Sequence, residues 1–217
     1  MKIRATHRLA TLALSLVGLP AQAAAQLPEE GTLLILAGGR EVGGESFRVT
    51  VADSLVRVSS KSVFTGARPA TEFTVSSERN ASGGLAFQLA YRGPAGAGEV
   101  YAVQQRNRLT MRRVEKGAER ANEVPVGPAT LVLADSTFSP LLQAVTLARE
   151  TPQAVTAFIP RSGRKLALQV QRVATPAGGA RIEITGDLEA SIQLGPRGEL
   201  VRILFPALGL EATRKRD

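Results

Sequence analysis

From Gly31 onward, apolar and polar residues alternate in short runs separated by turn-forming clusters. Phe47, Val49 and Val51 are interleaved with Arg48 and Thr50, and Phe73 and Val75 follow Glu72 and Thr74 in the same way. The rhythm recurs in Leu85, Phe87, Leu89 and Tyr91, in Leu166, Leu168 and Val170, and in Leu188, Ala190, Ile192 and Leu194. Side chains on an extended chain point alternately to opposite faces, so each run sets one face on a core and the other in water. The spacers "VADSL", "RNASGG", "RGPAGAGE", "PRSGRK", "TPAGGA" and "GPRGE" are rich in Gly, Pro, Asn, Asp and Ser. Such clusters between strand-like runs read as hairpin turns. The pattern therefore predicts an all-β, mainly antiparallel protein.

The stretch "GGREVGG", Gly38 to Gly44, tests that reading. A dinucleotide-binding loop requires G-x-G-x-x-G leading into a helix, and a P-loop requires G-x-x-x-x-G-K-[ST]. Neither spacing is present, and "ESFRVTVA" after it has strand periodicity. Its glycines are expected to supply the positive φ angles of a tight turn.

One segment breaks the alternation. In "STFSPLLQAVTLARE", Ser139 stands as an N-cap, Pro140 at the first helical position, and Leu141, Leu142, Val145 and Ala148 at helical spacing. This predicts one helix of about ten residues near 140–149. It separates an N-terminal meander, roughly 31–114, from a C-terminal one, roughly 153–213. The "EKGAERANEVPVGPA" segment between the first meander and the helix reads as a polar loop. Neither half obviously closes a sheet alone. The expected architecture is a single domain over residues 26–217: one strongly curved sheet, a half-barrel or open barrel, with one packed helix.

The first residues change the picture of where this domain works. Lys2, Arg4 and Arg8 form a basic start, an apolar run extends from Leu9 to Leu19, and small residues around Ala23 and Ala25 offer cleavage sites. That three-part layout is expected to be a secretory signal peptide over residues 1–25, giving a periplasmic or secreted protein. Its apolar run is too short to span a bilayer comfortably, and no later stretch is long enough, so no transmembrane segment is expected in the mature chain. Removing the leader lowers the formal charge from +8 to +5.

The chain has no cysteine, and its one histidine, His7, falls in the leader. The mature protein thus lacks the groups for Ser-His-Asp or Cys-His catalysis and for histidine or cysteine metal sites. No cofactor is expected. What survives is carboxylate or Ser-Lys chemistry. Ser162-Gly163-Arg164-Lys165 spells S-x-x-K, but strand-like sequence on both sides and Gly163 at its centre suit a turn, not a helix start. Glu183, Asp187 and Glu189 fall around a predicted turn, and Glu183 and Glu189 each sit between apolar residues, as carboxylates on a solvated sheet face do. Aromatic residues make up only 4% of the chain and tryptophan is absent, so the stacking platform that single-stranded nucleic acid needs is not expected.

Two groups of residues remain as candidates for ligand binding. The run from Gln104 to Arg120 contains Arg106, Arg108, Arg112 and Arg113, which could receive an anionic headgroup or form a solvated, edge-protecting hairpin. Phe47, Phe73, Phe87, Phe138, Leu141, Leu142, Phe158 and Phe205 are the largest apolar groups expected on the concave face and helix. They would either line a cavity or fill a core.

The opening hairpin "LAGGREVGGESFRV", the central helix and the final hairpin "ASIQLGPRGELVRILFPALGLEATR" together resemble secreted bacterial β-proteins of unknown function. More distantly, the layout resembles the half-barrel lipoprotein carriers of the Gram-negative periplasm. That resemblance implies a concave apolar face holding acyl chains. The expectation is a non-enzymatic envelope protein that binds or carries an apolar or lipid-like ligand. The alternatives are an interaction module of the envelope with a filled core and, last, a Ser-Lys or carboxylate hydrolase. Oligomeric state is left open, although unpaired sheet edges would suit self-association.

Overall fold

A computed structural model of the chain describes residues 29–65, 70–135 and 137–215. The expected leader lies outside these residues. Among the described residues, fifteen strands form one sheet. The first eight are β1 (Glu29–Ala37), β2 (Arg40–Ala52), β3 (Leu55–Phe64), β4 (Thr71–Asn80), β5 (Leu85–Gly93), β6 (Gly96–Gln105), β7 (Arg108–Glu115) and β8 (Ala118–Pro125). After β9 (Thr130–Val132), a 3₁₀ turn (Ser139–Leu142) runs into α1 (Gln143–Leu147). The chain then continues as β10 (Gln153–Ile159), β11 (Arg164–Ala174), β12 (Ala180–Gly186), β13 (Ala190–Leu194), β14 (Leu200–Phe205) and β15 (Leu210–Arg214).

The order across the sheet is β8 to β1, then β15 back to β9. Every neighbouring pair is antiparallel except β9 with β10. The two meanders are joined at the centre by β1 and β15, from Leu33 opposite Arg214 to Ala37 opposite Leu210. Strands from the two ends of the described chain thus close the middle of the sheet.

Its two edges are adjacent in sequence, and this dictates the shape. Five Cα steps from Pro125 to Thr130 reach roughly 18 Å at full extension. Fifteen strands laid flat at the usual spacing would separate the edges by roughly 65 Å. The sheet must roll. Val132 and Phe158 accordingly pack against Phe73, Phe87 and Val100 from the opposite wall. Since β8 and β9 do not pair, the result is an open barrel.

The link after β9 turns into this barrel. Ser139 to Val145 are all buried, and Leu141, Leu142, Ala144 and Val145 form one cluster with residues of β1–β3 and β10–β15. The registers place the end of β9 at the same end of the roll as the β1–β2, β5–β6, β10–β11 and β14–β15 hairpins, and the start of β10 at the other. The helical segment therefore threads the interior from one mouth toward the opposite end.

Three expectations need correction. The helix is shorter than ten residues, a 3₁₀ turn plus five α-helical residues, because Ala148 already has extended backbone. Ser139 is inside the 3₁₀ turn and its hydroxyl caps nothing. The "EKGAERANEVPVGPA" stretch contains strand β8, not only loop; almost every residue of that strand is exposed on both faces, so no alternation marked it.

The glycines of "GGREVGG" also divide into two roles. Gly38 and Gly39 have φ of 55° and 79° and form the β1–β2 turn. Gly43 lies in β2 beside a register shift, where an added Cβ would press into the Val63 carbonyl oxygen and lie 3.1 Å from the Phe64 Cα. Backbone atoms cannot move aside cheaply. Gly43→Ala is expected to cost about 2 kcal/mol through this overpacking, read as a lower urea midpoint; an unchanged midpoint would mean that β3 yields freely.

Candidate functional site

At the mouth where β9 ends, the interior is not filled. A cavity of about 620 Å³ lies there between the sheet and the helical segment. Three elements make its apolar wall. Phe64 and Phe73 come from the ends of β3 and β4, Leu133, Phe138 and Leu141 from the segment entering the barrel, and Phe205 and Leu210 from the β14–β15 hairpin. The rings are mutually braced: Phe138 meets Phe205 edge-on at 5.5 Å, and Phe64 meets Phe73 at 5.9 Å. These are separations at which aromatic pairs attract beyond their area of burial.

The segment carrying Phe138 is held by Glu45. This residue follows the inward parity of Phe47 and Val49 on β2, and it is buried. Its carboxylate accepts from the Phe138 N–H at 2.9 Å, the Ser139 N–H at 2.7 Å and the Ser62 hydroxyl at 2.9 Å. Donors at the start of a helical turn favour a negative group. Gln143 adds a second tether, donating to the Ser77 carbonyl at 3.0 Å.

The polar part of the cavity wall is compact. The charged residues lining it are Asp135, Arg161 and Arg164. The Arg161 guanidinium carbon lies 4.4 Å from the centre of the Tyr91 ring, and its Nη1 donates to an Asp135 carboxylate oxygen at 3.4 Å. Its carbonyl accepts from Arg113. The Tyr91 hydroxyl donates to Glu115; burial first, and then that bond, push its pKa above the ordinary phenol value, so at neutral pH it stays a neutral donor.

Of the residues singled out from sequence, Phe73, Phe138, Leu141 and Phe205 line the cavity. Leu142, Phe87 and Phe158 are packed in the core instead. Phe47 is buried on β2, with the Arg214 guanidinium 5.9 Å from its ring. The basic run is mostly engaged along the outside of β7 and β8: Arg108 pairs with Glu123, and Arg112 with Glu119 at 2.7 Å. Arg106 occupies the positive-φ position of the β6–β7 turn. Only Arg113, on the inward parity of β7 with Leu109, reaches the cavity's surroundings.

The motif candidates are dispersed. The Ser162 hydroxyl faces the Ile159 carbonyl at 3.3 Å, and no hydrogen bond among the described residues joins it to Lys165. Glu183 pairs with Arg181, and Asp187 accepts from the Ala167 N–H at 2.8 Å. Among the described residues, no three carboxylate, histidine or cysteine side chains cluster to hold a metal ion, and no helix is long and apolar enough to cross a membrane.

Fold and cavity together define an open antiparallel β-barrel with an internal helical segment and an apolar pocket at one mouth. No protein-family model matches the chain, and no curated protein matches it. Among solved structures, a DUF1089 family protein from Pseudomonas aeruginosa is similar at 11% identity and a TM-score of 0.42, over 76% of this chain and 90% of that one.

Proposed function

We propose that this is a non-enzymatic binding or carrier protein of the cell envelope, which holds an apolar, lipid-like ligand in the mouth cavity. The observation that carries the reading is a 620 Å³ space with a mainly apolar wall, left open although Phe138 and Leu141 already occupy the interior. Ligand sites typically occupy 300–1,000 Å³, with apolar walls and a few placed polar groups. A core without a ligand tends to close such a space, because empty apolar volume forfeits contact energy. The leader-like sequence at the start of the chain supports the envelope part of this reading.

The test is titration with a neutral fluorescent probe, N-phenyl-naphthylamine, against wild type and Ala134→Phe. Ala134 is half-buried on the cavity wall, so a phenyl ring there fills the space that the probe needs. Saturable binding by wild type, weakened about tenfold or more in a variant with an unchanged urea midpoint, is the expected result. No binding by wild type, or equal binding by both, would overturn the proposal.

A further inference from the structure

The cavity has a direction. Its aromatic wall around Phe73, Phe138 and Phe205 is apolar, whereas its charges gather at one place, on the β10–β11 hairpin and the adjacent Asp135. Two arginines and one carboxylate line that end, and Asp135 is paired with Arg161. Arg161 is fixed from three sides, by Asp135, by the Tyr91 ring and by Arg113 on its own carbonyl. Arg164 is exposed, and no ion pair to it occurs among the described residues. Asp135 balances Arg161, and Glu115, which accepts from the Tyr91 hydroxyl, balances Arg113 at 3.6 Å, so Arg164 leaves the polar end with a net positive charge.

We infer that the ligand is a single-chain amphiphile with an anionic head, a carboxylate or a phosphate, seated head-first toward Arg161 and Arg164 with its tail against Phe73, Phe138 and Phe205. This rests on the proposed binding function and specifies its chemistry. An anionic head gains charge-assisted hydrogen bonds from guanidinium groups, whose planar forks match both carboxylate and phosphate. A neutral head gains weaker ones, and a cationic head meets like charge. A space of 620 Å³ suits one chain, not a two-chain lipid.

Displacement of N-phenyl-naphthylamine by four dodecyl compounds tests this, each below its micelle concentration: dodecanoate, dodecyl phosphate, dodecanol and dodecyltrimethylammonium. At equal tail length, at least one anion is expected to displace the probe about tenfold better than the alcohol, with the cation weakest. Carboxylate and phosphate are told apart by which anion leads. In Arg164→Gln, an exposed change that leaves the Arg161 cluster intact, the anion's advantage over dodecanol shrinks several-fold; Arg161→Gln/Arg164→Gln abolishes it. Equal displacement by all four heads would overturn the inference and leave the apolar-binding reading standing. Failure of the probe itself to bind would sink both.

Discussion

Glu45→Ala is expected to destabilise the protein by about 3–5 kcal/mol and to weaken probe binding in the cavity. The carboxylate accepts from two backbone N–H groups and the Ser62 hydroxyl inside the barrel. Alanine leaves the Phe138 and Ser139 N–H groups buried without that partner, and an unsatisfied buried donor costs about 1–3 kcal/mol. The small cavity left by the lost side chain adds to this. Ser62→Ala, which removes only one donor, should cost about 1 kcal/mol. Glu45→Gln should fall between, because an amide presents one acceptor and turns its NH₂ toward groups that also donate. Urea unfolding reads all three as midpoint shifts at constant slope. The consequence for binding follows from position: Phe138 lines the cavity and meets Phe205 edge-on. N-phenyl-naphthylamine binding should therefore weaken even in the residual folded Glu45→Ala protein. A cost under about 1 kcal/mol for alanine would mean that the segment is held by its apolar contacts alone.

The sheet was legible wherever one face of a strand is buried and the other wet, because that asymmetry is what writes a period of two into sequence. It failed at both edges. In β8 both faces are exposed, so charged residues occur at successive positions and the run looks like a loop. In β9 all three residues are buried, so nothing alternates, and its parallel pairing with β10 had no local sign. The β1–β15 pairing joins strands at opposite ends of the described chain, and no turn residue records it.

For the site, size and apolarity sufficed to reach Phe138, Leu141 and Phe205, but could not separate cavity wall from filled core at Phe87 or Phe158. Arg161 was hidden within a turn whose letters suggest Ser-Lys chemistry. Glu45 was the missed clue that the pattern did contain. Its parity with Phe47 and Val49 sets an acid on the inward face, and a buried acid implies donors brought to it from elsewhere in the chain.

Arg79→Ala should loosen the seam formed by the link between the two sheet edges and the β4 wall, at a cost of about 2–4 kcal/mol. Arg79 lies on the inward face of β4, and its guanidinium donates to the Thr130 carbonyl and, at 3.5 Å, to that of Pro128. Gln104 supports the same link through the Gly127 carbonyl at 3.1 Å. Burial lowers the Arg79 pKa to about 10, still far above neutrality, so it is a cation that is buried here. Desolvating that cation and bonding it to carbonyls are opposing effects of similar size. The net loss in alanine should come mainly from the missing stem and the space it leaves. Arg79→Met keeps the stem without the charge and should cost less than half as much. Both variants, however, free the link between β8 and β9. Faster hydrogen exchange is expected at the Thr156 N–H, which donates to the Ala129 carbonyl, and at Val126. Because β9 leads directly into Leu133 and Ala134 on the cavity wall, probe affinity should fall in Arg79→Met more than its small stability loss explains. Equal costs for alanine and methionine, with unchanged exchange at Thr156, would show that the seam is held without Arg79.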